Sequence, residues 1–475
     1  MTALKPASAR LGPSFLLILM LATSAMAQQQ PTPPPTGTAA PMPKSEPLPA
    51  PPTLNKFPTP EQAVGRELTL DEAVSIALDN APKILASTGD YLASLQRVNQ
   101  ALAPLLPQLT GLGSYGRQQF ISTTTGSRSR SDFGSASATA SQLLWDFGKQ
   151  WAAKDAAKFD AEAFRAAAEL QKNNIVELVK EQYFTLLLSQ RLVTVNEAAL
   201  DRAEINLRSA KGFFDVGTQP KSFVTRAEVD VANGRLNLIR ANNAVSLARV
   251  ALNTAMGIAI NTPTQVKDVL AYEHFATDRD ALVAEALGKR PDYLQIKAQA
   301  EAAEATVRQT FRDFFPNLIG SGTYGIVGIT GVPDPGSRST HGFIDSGPEW
   351  NAGLTLSWTV FDGGGKIARY KEAKANVDAI KARVRDTELA IWQQVEQAYL
   401  NLGAAEESIG AAGKAVESAQ ENYDLARGRF DAGVANIIEL TDAQLALTQA
   451  QSTEAQALSD YRIAIARLEQ ALGRR

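Results

Sequence analysis

The stretch Lys211–Thr225, KGFFDVGTQPKSFVT, occurs a second time as Arg427–Thr441, RGRFDAGVANIIELT. The copies are 216 positions apart, and they share glycines, a phenylalanine, an aspartate and a threonine. The matching pairs are Gly212 and Gly428, Phe214 and Phe430, Asp215 and Asp431, Gly217 and Gly433, and Thr225 and Thr441. Because solenoid repeats have periods of only about 20–50 residues, this pattern indicates a duplicated half-protein.

Matches continue upstream of this stretch. An apolar row recurs at the same offset: Ile175, Val179, Tyr183 and Leu186 return as Ile391, Val395, Tyr399 and Leu402. Earlier in the chain the offset is 209, as shown by Pro82 and Pro291, Pro107 and Pro316, Gly111 and Gly320, and Tyr115 and Tyr324. The offset grows from 209 to 216 between Gly325 and Phe361, so seven residues are inserted there. This segment is predicted to be a tolerant loop.

Residues 1–27 have the layout of a secretory signal peptide. Lys5 and Arg10 precede the apolar run Phe15–Ala22, and Ala25-Met26-Ala27 fits a cleavage site. The apolar run is shorter than the about 20 residues that a transmembrane helix needs. Without these two basic residues the chain keeps 45 of its 47 Lys and Arg against 50 Asp and Glu, a net charge near −5. This negative net charge does not indicate the basic surface that nucleic-acid binding requires.

Residues 28–66 form a Pro-rich leader. Twelve of the 24 prolines of the chain lie between Pro31 and Pro60, with few large apolar residues among them. Such a composition cannot bury a core, so the leader is predicted to be extended and disordered. We expect folded sequence to begin near Leu68.

The residue types required for catalysis are scarce. There is no cysteine, and the two histidines, His274 and His341, are far apart and lack partners at ligand spacing. This argues against a metal centre, a thiol nucleophile and a triad hydrolase. GLGSYG at 111–116 and GSGTYG at 320–325 satisfy a dinucleotide-binding pattern. The residues after them alternate like a strand rather than opening a helix, so we expect no cofactor and no enzyme.

The duplication divides the rest of the chain into a first repeat, residues 67–262, and a second repeat, residues 263–475. Each is predicted to run helix, strand, loop, strand, very long helix, turn, helix. From Gly148 to Lys211, and again from Lys366 to about Arg427, the composition predicts a helix of about 60 residues, or roughly 90 Å. Such rods require coiled-coil-like packing against other rods. Gly217 and Gly433 suit the left-handed position after each helix end.

Each repeat also contains two strand segments. Residues 350–361, WNAGLTLSWTVF, alternate with period two, which indicates a strand with one apolar face. That face comprises Ala352, Leu354, Leu356, Trp358 and Val360. Strands of about 9–11 residues with terminal aromatics suit an outer-membrane barrel. A soluble sheet would need a second apolar layer, and no nearby segment supplies one.

Together these features resemble the outer-membrane efflux proteins of the TolC type, over roughly residues 68–475. The most specific pieces are the duplication, the strand-to-helix corners LLWDFGK and TVFDGGGK, and the two G-x-F-D-x-G turns. The resemblance implies a mainly α fold with a membrane β-barrel portion. Three protomers would each give four strands to one twelve-stranded barrel, and their long helical hairpins would form a trimeric periplasmic α-barrel.

The same resemblance implies a function and a location. The protein would be a passive export duct in the outer membrane of a Gram-negative bacterium, with its helices in the periplasm. It would serve a tripartite efflux or type I secretion system, docking on a periplasmic adaptor and an inner-membrane pump. The alternative is a structural coiled-coil tether anchored in the outer membrane without transport.

Two sets of site residues follow from the resemblance. The helix-turn-helix tips are expected to dock the adaptor, and they are centred on Val216, Gly217 and Thr218, and on Ala432, Gly433 and Val434. Glu439 and Asp442 occupy the positions of the acidic ring that constricts the family's entrance. At the same offset the first repeat has Phe223 and Arg226, so Arg226 is predicted to latch the gate by pairing with Asp442 or Glu439. A solvated helix start also favours acidic residues, and that alternative stays open.

Overall fold

The computed structural model describes residues 66–121, 128–275, 279–331 and 345–474. The predicted signal peptide, the leader before Arg66 and part of the predicted insertion lie outside the described residues. The helices are α1 (Leu70–Asn80), α2 (Pro82–Leu102), α3 (Lys149–Asp215), α4 (Lys221–Met256), α5 (Arg279–Lys289), α6 (Pro291–Arg312), α7 (Gly365–Asp431) and α8 (Ile437–Ala471). The strands are β1 (Glu67–Leu68), β2 (Gln108–Ile121), β3 (Arg128–Trp145), β4 (Gln265–Val266), β5 (Asn317–Gly331) and β6 (Asp345–Ser357).

The two predicted rods are confirmed as α3 and α7. Each contains 67 residues, which corresponds to about 100 Å at 1.5 Å per residue. In both helices, an aspartate carboxylate accepts a hydrogen bond from a free backbone N–H group of the first turn. Asp146 Oδ2 accepts from the Gln150 N–H at 2.7 Å, and Asp362 Oδ2 accepts from the Lys366 N–H at 2.9 Å. The corner motifs therefore stabilise the start of each rod by capping free N–H groups.

The other helices pack beside the rods in one row. The return helix α4 packs along α3, while α8 packs along α7 and also contacts α3. On the sheet side of the molecule, α2 contacts α3, and α6 contacts both α3 and α7. Gly257, after α4, lies against Asn80 and Ala81, just before α2. Gly473, after α8, lies against Lys289 and Arg290, just before α6. The return helices therefore meet the sheet-side helices end to end.

A small layer of short elements covers one side of this row of helices. It lies at the level of the junctions, where the return helices meet the sheet-side helices end to end. One part of this layer is formed by α1 and by the short strands β1 and β4, which pair in parallel. The Tyr183 hydroxyl on α3 donates to the carbonyl oxygens of Leu68 and Lys267, at 2.9 and 2.8 Å. Burial raises the pKa of Tyr183 to about 12, so this hydroxyl stays protonated and holds both strands against the rod. Thr69 and Glu72 form a capping box at the start of α1.

The four long strands form one antiparallel sheet in the order β2-β3-β5-β6. They contain 14, 18, 15 and 13 residues, so the expected length of about 9–11 residues is wrong. The extra residues extend the pairing at the loop ends. The predicted strand 350–361 begins earlier, at Asp345, and ends at Ser357. Directly after the strand, the Trp358 indole N–H donates to the Phe314 carbonyl at 3.0 Å.

Candidate functional site

One face of the four-stranded sheet is apolar. Residues paired across neighbouring antiparallel strands point to the same side, and the register pairs Tyr324 with Trp350 and Leu318 with Leu356. The same face continues across β3 and β2 through alanines and Leu109. Its members are Leu109, Tyr115, Ala136, Ala138, Ala140, Leu318, Tyr324, Ile326, Trp350, Ala352, Leu354 and Leu356. Trp350 is 76% exposed and Leu354 is 71% exposed, so none of the residues that the structure describes covers this surface.

The opposite face of the sheet consists mainly of hydroxyl side chains. Ser114 and Ser135 hydrogen bond across β2 and β3 at 2.7 Å, and Thr139 and Thr323 do so across β3 and β5 at 2.9 Å. Further polar side chains of this face are Thr110, Ser137, Ser141, Ser321, Asn351, Thr355 and Ser357, with Glu349 towards the loop end. Alternating apolar and hydroxyl faces are what a strand requires when one side meets lipid and the other meets water.

Aromatic residues limit the apolar face at both ends. Tyr115, Tyr324 and Trp350 lie towards the loops, and Trp145 and Trp358 lie towards the helices. The eight residue steps from Trp350 to Trp358 span about 26 Å along an extended chain, which is close to the about 25 Å apolar band of outer-membrane barrels. Beyond Tyr115 the face becomes charged, since Arg117 and Asp132 form an ion pair at 2.6 Å.

Two properties of the described part of the chain concern other kinds of site. No helix within residues 66–121, 128–275, 279–331 and 345–474 is apolar over a length sufficient to cross a membrane. The same residues contain no cluster of His, Cys, Asp or Glu side chains that could hold a metal ion.

The two helical tips have the same backbone geometry. Gly217 has φ +75° and Gly433 has φ +74°, which confirms the predicted left-handed positions. In each turn the residue after the glycine donates its N–H to a carbonyl five residues earlier: Thr218 to Phe213 at 2.9 Å, and Val434 to Arg429 at 3.0 Å. This double turn reverses the chain within a few residues. It leaves Val216 and Val434 each 72% exposed at the tips.

The structure positions the predicted gate residues around the start of α8. Glu439 forms an ion pair with Arg429 at 3.0 Å, at the end of α7. Asp442 is exposed one helical turn further along. Arg226 lies exposed on α4, and within the described residues of a single chain it forms no ion pair. Its pairing with Asp442 or Glu439 therefore stays a prediction about contacts between copies.

Sequence reasoning did not find two contacts at this tip. Arg429 was not identified as the partner of Glu439 because its counterpart in the first repeat is Phe213, which is not charged. The Thr441 hydroxyl also hydrogen bonds to Asp230 Oδ2 of α4 at 3.1 Å. This contact joins the two hairpins, and only the tertiary structure reveals it because the two residues are far apart in sequence.

These features define a chain with a membrane-type sheet on long helical hairpins. The sequence profile of the outer membrane efflux protein family matches residues 73–258 and 282–474, and the chain belongs to this family. It is 26% identical to outer membrane protein TolC of Escherichia coli over 400 residues, covering 82% of this chain and 79% of TolC. It is 25% identical to the alkaline protease secretion protein AprF of Pseudomonas aeruginosa over 428 residues, covering 84% of this chain and 83% of AprF.

A solved structure shows the same fold. The CmeC outer membrane channel of Campylobacter jejuni superimposes with a TM-score of 0.74 at 19% identity, covering 85% of both chains. The predicted family and the predicted mainly α fold with long helices are therefore confirmed, whereas the closed trimeric barrels stay a prediction. The protein is an outer-membrane protein of a Gram-negative bacterium.

Proposed function

We propose that this protein is a passive export duct of a tripartite efflux or type I secretion system. The observation that carries the proposal is the two-faced sheet, with an exposed apolar side for outer-membrane lipid and a hydroxyl side for water. Residues 1–27 direct export, and the repeats 67–262 and 263–475 supply equivalent halves of the wall. No chemistry is required of a passive duct, in keeping with a channel family.

The sheet requires other copies to complete it. Strands β2 and β6 are at its two edges, and an open strand edge is not tolerated in lipid. Four strands cannot close a barrel, and even eight leave an interior just wide enough for side chains. Three copies give twelve strands and an open lumen, so a homotrimer satisfies both requirements.

The helical row has two unpartnered edges of its own. The side of α4 that faces away from α3 carries exposed apolar residues at helical spacing: Val229, Leu236, Ile239, Leu247 and Val250. The side of α7 that faces away from α8 carries Leu389, Leu400 and Leu425, which are 70%, 58% and 62% exposed. Closing the row into a ring places α7 of one copy against α4 of the next, and this buries both stripes.

The duplication also predicts the register of that contact. Inside one chain, Ser459 of α8 packs on Phe184 of α3, and its hydroxyl donates to the Phe184 carbonyl at 3.4 Å. At the offset of 216 the equivalent residues are Asn243 of α4 and Leu400 of α7. Asn243 of one copy should therefore lie against Leu400 of its neighbour.

Cysteine crosslinking tests this arrangement, because the chain has no cysteine of its own. The variant Asn243→Cys/Leu400→Cys should form intermolecular disulfides that yield trimers on non-reducing gels. A matched control, Leu236→Cys/Leu400→Cys, moves one partner by two helical turns and should not crosslink. Efficient crosslinking in the control would contradict this register, and a light-scattering mass that corresponds to a monomer would contradict the trimer.

Conductance distinguishes a duct from a tether. The hydroxyl face of the sheet favours the duct, since a tether has no need of a wet interior. In planar bilayers the duct should conduct ions once its tips are relaxed, for example in the gate variants described in the Discussion. A tether should conduct nothing in any variant.

The tips supply the docking surface for the periplasmic adaptor, which in turn joins the inner-membrane pump. Its residues are Val216, Gly217, Thr218, Ala432, Gly433 and Val434, and the support is their identical turns and exposed valines. Gly433→Trp should abolish copurification of the adaptor while trimers still insert into membranes. Gly410→Trp is the matched control, because a side chain there also meets open space but lies on the shaft of α7. Export that survives Gly433→Trp would place docking elsewhere.

Glu439 and Asp442 form the acidic ring of the entrance in this proposal. They lie three residues apart on α8 and so share a face, and threefold symmetry would bring six carboxylates together. Such a ring selects cations and holds divalent ions. Arg226 acts as the latch between neighbouring hairpins.

A further inference from the structure

Two recesses lie beside the end-to-end junctions of the helices. The first, beside the α4–α2 junction, is a cavity of about 650 Å³. Its wall is largely apolar and includes Ile175, Leu178, Ala251, Ala255, Ile258 and Ile260. The second, beside the α8–α6 junction, has a volume of about 660 Å³. Its wall is polar and includes Glu177, Glu181, Gln394, Asn401, Asp460 and Arg467.

The duplication relates these two recesses. At the offset of 216, Leu178 corresponds to Gln394 and Ala251 corresponds to Arg467. Thr254 and Gln470 are a further pair, and each also lines its own recess. The recesses are therefore one structural position in two halves of the molecule, and the second half has exchanged an apolar wall for a polar one.

Both recesses open on the same side of the helical row. Leu178 of the first and Glu181 of the second lie three residues apart on α3, so they share one face of that helix. Tyr183, which holds the small layer, lies about 140–160° around the helix from them. The recesses therefore face away from the small layer. In the closed ring of the proposed function this free side is the lumen, because the small layer would otherwise block the duct.

A neighbouring copy completes the first recess. In the second recess, α3 supplies a third wall through Glu177 and Glu181. The equivalent positions are Gln393 and Gln397 on α7, and the row places α7 of one copy next to α4 of the next. The second recess stays open at about 660 Å³ with its third helix in place. The first recess should therefore stay open in the trimer as well.

We propose that the first-repeat recess binds amphipathic anions that travel through the duct. Its volume is within the about 300–1,000 Å³ of small-molecule pockets, and its lining is apolar with a few polar groups, as such pockets require. Lys83 is the charged residue among those that line it, and within the described part of the chain it forms no ion pair. The apolar body of the ligand lies against Leu178 and Ile260, and its anionic group lies at Lys83. This assignment rests on the proposed duct.

Binding of 1-anilinonaphthalene-8-sulfonate, an apolar ring system with one sulfonate, tests the assignment. Trimers in nanodiscs of zwitterionic lipid are titrated with the probe, and variants are compared with the unmodified chain so that background binding cancels. Leu178→Gln makes the wall of the recess polar without adding a charge, and it introduces the residue that the second repeat carries at the same position, so it should fold. It should raise the Kd about tenfold or remove the saturable phase.

Two further variants separate charge from shape. Lys83→Gln keeps the recess but removes the cation, and it should raise the Kd about threefold to fivefold, as expected for a partly exposed ion pair. Gln394→Leu alters the second recess and should leave the Kd unchanged. An unchanged Kd in Leu178→Gln trimers would overturn the binding site and leave the proposed duct intact. A monomeric unmodified chain would overturn the trimer and, with it, the completed recess.

Discussion

In the first half of the molecule, Ile76 of α1 and Ile258 after α4 are both buried where the helices meet. The equivalent residues of the second half are Glu285 and Arg474, which form two hydrogen-bonded contacts at 2.8 and 2.6 Å. The same contact is therefore apolar in one half and ionic in the other.

The residue before each sheet-side helix differs in the same way. Ala81 precedes α2, whereas the equivalent Arg290 precedes α6 and is 5% exposed. The Arg290 guanidinium donates to Asp292 at 2.6 and 3.0 Å, to Gln394 at 2.8 Å and to the Ala471 carbonyl at 3.2 Å. The backbone that both halves share depends on glycines and prolines, and the side chains that fill it have diverged. The following predictions test how far the shared backbone and the diverged side chains contribute independently to stability.

The largest expected effect is at Arg290. Arg290→Ala leaves Asp292 without its buried partner, so it should destabilise the protein by about 3 kcal/mol. Arg290→Ala/Asp292→Ala should cost less, because it removes the uncompensated carboxylate as well. Apparent unfolding temperatures of the two variants measure the difference. A double variant that is less stable than the single one would show that the ion pair is not the reason for the loss.

The junction glycines should be more sensitive than the tip glycines. All four have similar left-handed backbones, with φ of +71°, +73°, +75° and +74° at Gly257, Gly473, Gly217 and Gly433. A Cβ at Gly257 would lie 2.7 Å from the Asn80 carbonyl oxygen, whereas at either tip it would meet nothing within 4 Å. Gly217→Ala and Gly433→Ala should each cost about 1–2 kcal/mol.

Gly257→Ala should cost about 1–3 kcal/mol more than the tip variants, because two backbones must move apart. Thermal unfolding of the three alanine variants ranks these costs. Gly473→Ala should be intermediate, since its nearest contact is 3.1 Å. Equal losses at junctions and tips would show that backbone strain alone determines the requirement for glycine.

Acid should weaken the second junction and leave the first unchanged. Hydrogen bonds from Arg474 and then Lys289 lower the pKa of Glu285 from 4.5 to about 2. Because the folded pKa is depressed, the stabilisation is complete above about pH 4.5 and is lost as the pH falls towards 2. With solvent screening it amounts to about 1 kcal/mol. Hydrogen exchange, corrected for intrinsic rates, should rise selectively at residues 471–474 and not at 255–258.

The control for the acid effect is Glu285→Gln, which removes the titrating carboxylate. Its second junction should exchange at the same corrected rate at pH 6 and pH 3. Parallel loosening of both junctions in the unmodified chain would argue for global acid unfolding instead.

The smallest changes in stability are expected for variants at the helical tips, although their effects on conductance should be clear. An exposed ion pair is worth at most about 1 kcal/mol, so three latches can bias closure and still yield to an adaptor. Arg226→Glu should raise resting conductance and antibiotic leakage, whereas Arg240→Glu, the same change on the exposed shaft of α4, should not. Glu439→Ala/Asp442→Ala should weaken cation selectivity and block by divalent ions. Unchanged conductance and selectivity in these variants would locate the gate elsewhere.

Much of the local structure could be predicted from particular residues. The absence of proline from 148 to 211 predicted a long helix, and the glycines at 217 and 433 predicted where the chain turns. These predictions succeed because helix termination and left-handed backbone depend on the residue itself. The strand ends were harder to predict, since the alternating pattern continues through Trp358 and Val360, beyond the observed end of the strand at Ser357.

The sequence by itself determined the duplication, the family and the positions of rods and turns, because each depends on residue types at fixed spacing. Only the tertiary structure decided which charges meet. Arg429 pairs with Glu439, and Arg474 pairs with Glu285. It also placed the apolar and the polar recess on one side of the helical row. Such contacts join residues that are distant in sequence, and the packing of helices brings them together without leaving a periodic trace in either segment.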